Sequence, residues 1–295
     1  MVAESVPVAL PTSWEFDDEE LIADDLSAIA LLGGGDRTEA WLAWDGRLRS
    51  PVVAKLIRPH LVSDVHVRES LAREASLLAR LQHPAIVRSY RARVDGRRPH
   101  LVLEALDGPR LSTLLRRFGP LAPEQVVPLA LNVASALAYM HDEGYVHLDV
   151  KPRNLIMGAS PRVIDLGVAR SFEEISTLTS PVGTVAYMAP EQGAVESLGR
   201  IGPWSDVWGL CVTLYESVSG RLPFAKTADG SYSQSAGYPA LLDSRIPEPI
   251  RDIIHSGLVT DFAVRPRLPE IIDELERIYP EARATARRRL RRRYR

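Results

Sequence analysis

Between Ala28 and Val102 the apolar positions come in short runs, Ala28 to Leu32, Ala40 to Ala43, Val52 to Ile57 and Leu101 to Leu103, broken by Gly, Asp-Gly and Pro. That is the pattern of strands joined by turns. Asp45-Gly46 and Asp95-Gly96 predict hairpins. One helix interrupts the strands, with Leu71, Ala75, Leu78 and Leu81 on one face and Pro84 closing it. Beyond Gly108 the spacing turns helical. Val126, Ala130, Val133, Ala134 and Leu137 make a stripe within Pro123 to His141 that Gly144 ends, and Val207 to Val218 is apolar nearly all round, as a helix buried on every side is. The pattern predicts an α+β architecture in two lobes: a small antiparallel-sheet lobe with one main helix over about 21–104, a joint at 104–108, and a larger, mainly helical lobe over 109–281. Residues 1–20 mix small, proline and acidic residues and read as a loosely attached lead-in.

Composition changes this picture little. The 295 residues are 45% hydrophobic and 25% charged, as in ordinary globular chains. No run reaches the roughly 18 apolar residues of a bilayer span, and no basic region precedes an apolar stretch in Met1 to Pro11, so a cytoplasmic chain without a transmembrane segment is expected. The single cysteine, Cys211, falls in the apolar run Val207 to Leu214 and reads as a small buried hydrophobe. His60, His66, His83, His100, His141 and His255 show no metal-ligand spacing.

Charge is more telling. The net charge is −2, yet residues 282–295 hold eight arginines and no acid, leaving about −10 on the rest. This arginine-rich tail is expected to contact an anionic surface or the acidic body of the chain itself. The chain has only three lysines, Lys55, Lys151 and Lys226, among its 36 basic side chains. Positions that keep lysine where arginine is otherwise the rule are candidates for chemistry that needs a compact ammonium.

Three stretches carry candidate chemistry. Leu32-Gly33-Gly34-Gly35-Asp36-Arg37-Thr38 is a turn whose glycines allow backbone N–H groups to approach phosphate oxygens, although a plain hairpin turn has the same composition. Val52-Val53-Ala54-Lys55 sets an ammonium in an apolar strand, and Glu74, 19 residues on, lies on the apolar stripe of the helix, where a carboxylate needs a partner. His147-Leu148-Asp149-Val150-Lys151-Pro152-Arg153-Asn154-Leu155, followed by Val163-Ile164-Asp165-Leu166-Gly167, gathers two acids, a lysine and an asparagine within 17 residues. Phosphoryl transfer needs such groups: oxygens for a divalent metal, an acceptor for a hydroxyl proton and a cation for the migrating charge.

On these residues, over roughly Leu26 to Tyr279, the chain resembles eukaryotic-like serine/threonine protein kinases of the bacterial type. The resemblance implies a bilobal protein-kinase-like fold and transfer of the γ-phosphate of ATP to Ser/Thr hydroxyls of proteins, autophosphorylation included, with ATP and Mg2+ required. Asp149 would be the catalytic base and Lys151 would neutralise the moving phosphoryl group. Asn154 and Asp165 would hold the metal, and Lys55, paired with Glu74, would contact the nucleotide phosphates beside Gly33 and Gly35. The adenine would lie among Leu32, Ala40, Ala54 and Ile156, with hinge backbone at Glu104 to Leu106. His147 would be a structural hydrogen-bonding residue.

Further markers fit a protein substrate better than a small molecule: Gly183-Thr184 before Tyr187-Met188-Ala189-Pro190-Glu191, then Ser205-Asp206-Val207-Trp208, and Arg265 as the partner of Glu191. The lysine in Asp149-Val150-Lys151-Pro152 resembles the serine/threonine class. The chain departs from the family pattern at Thr38, in place of a third loop glycine, at Asp36 inside the loop, and at Leu148, where an arginine that grips a phosphorylated activation loop is usual. Thr38, Asp36 and Leu148 keep a scaffold that binds nucleotide weakly, a pseudokinase, as the alternative, ahead of a small-molecule phosphotransferase. Leu148 implies activity independent of phosphorylation in the loop that carries Ser176, Thr177, Thr179 and Ser180.

Overall fold

A computed structural model describes residues 11–193, 200–227, 232–235 and 237–280. The arginine tail expected at 282–295 and the first ten residues lie outside the described residues. The chain divides into two compact units: a sheet unit that runs to Gln82 and resumes at Val87–Leu106, and a helical unit made of His83–Ile86 and the chain from Asp107 onward.

The sheet unit is one six-stranded antiparallel sheet in the order β1-β2-β3-β4-β6-β5, formed by β1 (Leu21–Ala23), β2 (Leu26–Gly34), β3 (Thr38–Asp45), β4 (Ser50–Ile57), β5 (Ser89–Arg93) and β6 (His100–Glu104). The Asp45-Gly46 turn forms as expected, because Asp45 Oδ1 accepts the N–H groups of Arg47 and Leu48 at 2.9 and 3.0 Å. Helix α1 (Val65–Arg80) opens on Asp64, whose side chain caps the N–H groups of His66 and Val67, and it buries Leu71, Glu74, Leu77 and Leu78.

Alternation along the strands sorts the side chains to two faces. Trp41 and Ala43 on β3 and Val52, Ala54 and Leu56 on β4 enter one buried cluster with Leu26 and Ala28. Lys55 lies opposite Ala40, and Leu42 opposite Val53, on the other face. Phe16 belongs to the first cluster and Trp14 packs against it. The Trp14 and Phe16 rings stack at 5.9 Å, Phe16 meets Trp41 edge-on at 5.1 Å, and the Arg98 guanidinium lies 4.7 Å from the Phe16 ring centroid. The expected loose lead-in over residues 1–20 is thus corrected for residues 12–16, which form a strap covering the sheet. The acids Glu15 to Glu20 suggested solvent, but Phe16 is buried among apolar side chains and Trp14 packs against them.

The helical unit contains α2 (Leu111–Phe118), α3 (Pro123–Asp142), β7 (Tyr145–Val146), β8 (Leu155–Met157), β9 (Pro161–Val163), β10 (Arg170–Ser171), α4 (Phe172–Ile175), α5 (Pro190–Gly193), α6 (Pro203–Ser219), α7 (Glu248–Gly257) and α8 (Leu268–Ile278). Helix α6 is the core, with Val207 to Tyr215 all buried, and it ends where Gly220 takes the left-handed conformation at φ 73°. Helix α7 comes so near that a Cβ on Gly257 would meet Cys211 Sγ at 2.3 Å. Burial pushes the Cys211 thiol up to about 12, in keeping with a packing role. Among the described residues no helix is long and apolar enough to cross a membrane.

Candidate active site

In the sheet unit, Lys55 Nζ donates to both carboxylate oxygens of Glu74, at 2.8 and 2.7 Å. Glu74 is 2% exposed. Strand β4 aims the ammonium and the apolar stripe of α1 aims the carboxylate, so a charge that would be costly alone is neutralised in place.

The turn between β2 and β3 is closed by the Gly35 N–H donating to Thr38 O at 2.9 Å. Its glycines serve different ends. Gly33 has φ +124°, which side chains rarely adopt, whereas Gly34 is excluded from growing a side chain by space: its Cβ would lie 2.7 Å from Thr38 O and 3.1 Å from Arg58 Nη2. A Cβ on Gly35 would meet nothing within 4 Å, so the backbone is open there to an approaching anion. Asp36 is exposed.

Of the expected adenine contacts in this unit, Leu32 is exposed and Ala40 shares the face of Lys55. Ala54 does not. Its partner is Trp41, and it is fully buried in the cluster under the strap, on the opposite face from Lys55. The neighbour that shares the lysine face is Val53. The period of two already contained this correction, since residues adjacent on a strand face opposite sides. Glu104 closes β6 with its N–H on Arg88 O at 2.9 Å, and Leu106 is the last residue of the unit.

In the helical unit the loop after β7 gathers the remaining groups. Lys151 Nζ donates to Asp149 Oδ2 at 2.6 Å and to Thr184 Oγ1 at 2.5 Å, and Thr184 Oγ1 donates to Asp149 Oδ1 at 2.7 Å. Asn154 Nδ2 donates to the Asp149 carbonyl at 3.0 Å and to its Oδ2 at 3.1 Å. Asp165 follows β9, and the Ile164 N–H donates to Asn154 O at 2.9 Å, so the β8–β9 hairpin draws Asn154 and Asp165 to one end. Ile156, expected beneath the adenine, is half-buried on β8. The Asn154 side-chain oxygen and the Asp165 carboxylate are hard donors of the kind a divalent cation takes. Among the described residues no group of three His, Cys, Asp or Glu could hold a metal by itself.

The loop rests on Asp206, near the start of α6. Asp206 Oδ2 accepts the N–H of His147 at 2.8 Å and His141 Nε2 at 2.8 Å, and Oδ1 accepts the N–H of Leu148 at 2.7 Å. Burial alone would raise its carboxyl, but the His141 hydrogen bond and the neighbouring histidines and amides outweigh it and hold it below the ordinary value. His147 Nδ1 accepts the Asp149 N–H at 3.2 Å, the structural role expected of it. From the other side, Gln192 Nε2 donates to Leu148 O at 3.0 Å and Val182 O at 2.9 Å, and a Cβ on Gly183 would come within 2.5 Å of Leu148 O. Leu148 is itself buried with Val146, Ile175 and Ile201, with Leu178 and Val182 packed alongside.

Farther along, Glu191 and Arg265 meet as expected, in a buried two-pronged pair at 2.7 and 3.0 Å. Ser205 Oγ adds a hydrogen bond to Glu191 at 2.8 Å. Thr184, Asp206 and Gln192 were absent from the expected site. Thr184 and Asp206 stood in recognised motifs, but their partners are 35 and 58 to 59 residues away along the chain.

The family described as protein kinase domain matches residues 26–294. The chain belongs to that family. The kinase domain is 33% identical over 240 residues to serine/threonine-protein kinase PknB of Mycobacterium leprae, covering 78% of this chain and 37% of the relative. To PknB of Mycobacterium tuberculosis H37Rv it is 32% identical over 250 residues, 81% of this chain and 38% of the relative. To PknA of Mycobacterium tuberculosis H37Ra it is 33% identical over 251 residues, 80% and 57%. The chain thus spans less than two fifths of the PknB relatives it matches. Antiparallel sheet unit and helical unit are the two parts of the family's bilobal fold, and the match runs past the boundary expected at 281.

Proposed function

We propose that this chain is an ATP-dependent serine/threonine protein kinase that works in the cytoplasm with Mg2+ and uses Asp149 as the catalytic base. The observation that carries the reading is the wiring of Asp149. An ionised carboxylate offers about four lone-pair sites. Lys151 and Asn154 take two on Oδ2, and Thr184 takes one on Oδ1. The site left over, on Oδ1, accepts the proton of a substrate hydroxyl as its oxygen attacks the γ-phosphorus and ADP departs. Lys151, already beside the carboxylate, offsets the charge of the transferring group. Asn154 and Asp165 would hold a divalent ion, which would supply neutralisation of the phosphate oxygens. Lys55, oriented by Glu74, binds nucleotide phosphates, and Gly33 and Gly35 allow the loop backbone to approach them.

Protein hydroxyls are the proposed acceptors because the Gly183–Glu191 segment is anchored to the same loop through Thr184 and Gln192. The chain's own loop hydroxyls are candidate acceptors. The arginine tail at 282–295 is assigned to an anionic partner, either a surface or the acidic body, on its charge alone.

Transfer of labelled phosphate from ATP with Mg2+, to the protein itself and to a basic carrier protein, tests the reading. Incorporation on serine or threonine is expected, and Asp149→Asn is expected to lower it at least 10³-fold, about 4 kcal/mol. Absence of incorporation by folded wild-type protein across several divalent metals would return the chain to a nucleotide-binding scaffold.

A further inference from the structure

We propose that Arg58 is the positioning residue of the phosphate loop and that the strap Thr12–Phe16 is its anchor, a proposal that rests on the kinase reading above. Arg58 follows β4 directly, three residues after Lys55. Its Nε donates to Gly35 O at 2.7 Å and its Nη1 to Thr12 O at 2.5 Å. Its backbone N–H donates to Arg37 O at 3.0 Å, and its Nη2 lies 3.1 Å from where a Cβ on Gly34 would stand. One residue thereby touches the loop on both sides of its tip.

The guanidinium is held by Glu39, directly across the β2–β3 ladder from Gly34. Glu39 is 1% exposed and accepts Ser13 Oγ at 2.9 Å, the Trp14 N–H at 3.1 Å, Trp41 Nε1 at 2.9 Å and Arg58 Nη1 at 3.4 Å. Two of these donors belong to the strap, and Trp14 Nε1 fastens it again to Ile57 O at 2.8 Å. A buried carboxylate requires such a set of donors, so the strap, Glu39 and Arg58 stand or fall together.

The consequence for the loop follows from the planar trans peptide. Fixing the Gly35 carbonyl toward Arg58 turns the Asp36 N–H, at the other end of the same peptide, the opposite way. Consecutive glycines left to themselves sample many backbone states. Arg58 selects one of them and removes that ordering cost from nucleotide binding. A lysine cannot do this, because only the planar fork reaches Gly35 and Thr12 together.

Arg58→Ala and Arg58→Lys in the full chain, with Arg277→Ala on helix α8 of the other unit as control, test this. The readouts are kcat and KM for ATP, the Kd of ADP, and amide hydrogen exchange of Gly33–Arg37. In Arg58→Ala, KM and Kd are expected to rise about tenfold with kcat within threefold, and loop exchange to quicken at least tenfold. Arg58→Lys should recover less than half of each change, and the control none of it. Unchanged loop exchange and a Kd within twofold of wild type would overturn the proposal. So would a fall in kcat and melting temperature without a change in Kd, the mark of a purely structural residue. Exchange needs no nucleotide, so a wild-type protein that transfers no phosphate defeats the kinase reading while Arg58 is still judged by its loop.

Discussion

The loop proposed as catalytic in the helical unit and the loop proposed to bind phosphate in the sheet unit are both backbone turns held by one charged side chain, but the charge sits differently in each. Asp206 is fully buried beneath the catalytic loop and accepts two of its amides and a histidine. Arg58 lies at the end of β4 with its side chain 22% exposed, reaching the loop and the strap together. A buried charge with every bond made permits one arrangement, because any displacement strands a polar group away from water. A partly exposed contact has water as an alternative partner. The groups that hold Asp149 are thus fixed by buried bonds, whereas the turn between β2 and β3 is fixed by a side chain that water can reach.

The largest expected effect breaks the first half of this comparison. Asp206→Asn keeps the shape but turns one acceptor into an N–H2 facing the donors it served. A loss of about 4 kcal/mol is expected, seen as a fall in melting temperature of roughly 8 °C or more and accompanied by loss of transfer. Arg58→Ala, which leaves Glu39 its three other donors, should lower the melting temperature by less than half as much. Acid separates the two further. The Asp206 carboxyl is held below its ordinary 3.8 in the folded chain, so its contribution is complete above that pH and is lost as pH falls through the lower folded value. Wild type should therefore destabilise more steeply below pH 3.8 than Asp206→Asn; parallel curves in denaturant titrations would show that the hydrogen bonds, not the charge, hold the loop.

The same contrast explains what could be read from the chain beforehand. Strands β2, β3, β4 and β6, helices α1, α3 and α6, the Lys55–Glu74 pair and the Asp149 to Asp165 set were legible, because periodicity and short motifs are local signals. Glu191 and Arg265 were legible across 74 residues only through a family resemblance. Asp206 showed as part of a helix start, yet its service to two amides 58 and 59 residues earlier has no local signal. The strap was hidden by the acids Glu15 to Glu20 in and after it, and Arg58 was one arginine among many. Ala54 differs in kind: the period of two placed it opposite Lys55, and reading that period strictly yields Val53 on the lysine face instead.

A smaller effect sharpens the rigid side. Leu148 takes a positive φ of 65° and stays 3% exposed in its apolar cluster. Leu148→Ala should cost about 2 to 3 kcal/mol through the cavity it opens. The loss should appear as faster amide exchange over Ile175 to Val182, the stretch that Leu148 holds, with little change in the Kd of ADP. If exchange quickened in the phosphate loop instead, the division of labour between the two loops would be wrong.

The smallest expected effect is nearly none, and it bears most directly on how the activation segment is kept in place. An arginine before the catalytic aspartate would hold that segment through a phosphate; here Leu148 meets Ile175, with Leu178 and Val182 alongside, by apolar contact that needs no modification. Beyond this clasp, Gln192 ties Val182 O to Leu148 O and Thr184 ties the segment to Asp149. The exposed hydroxyls have little left to do: Ser176 Oγ and Thr177 Oγ1 already donate to Glu173 O and Glu174 O within their own turn, at 2.7 and 2.8 Å. Thr177→Ala with Thr179→Ala is therefore expected to change kcat/KM by less than about twofold, under roughly 0.4 kcal/mol. A drop beyond tenfold would mean that phosphate on the segment does find a cation, and that the apolar clasp holds the loop only in part.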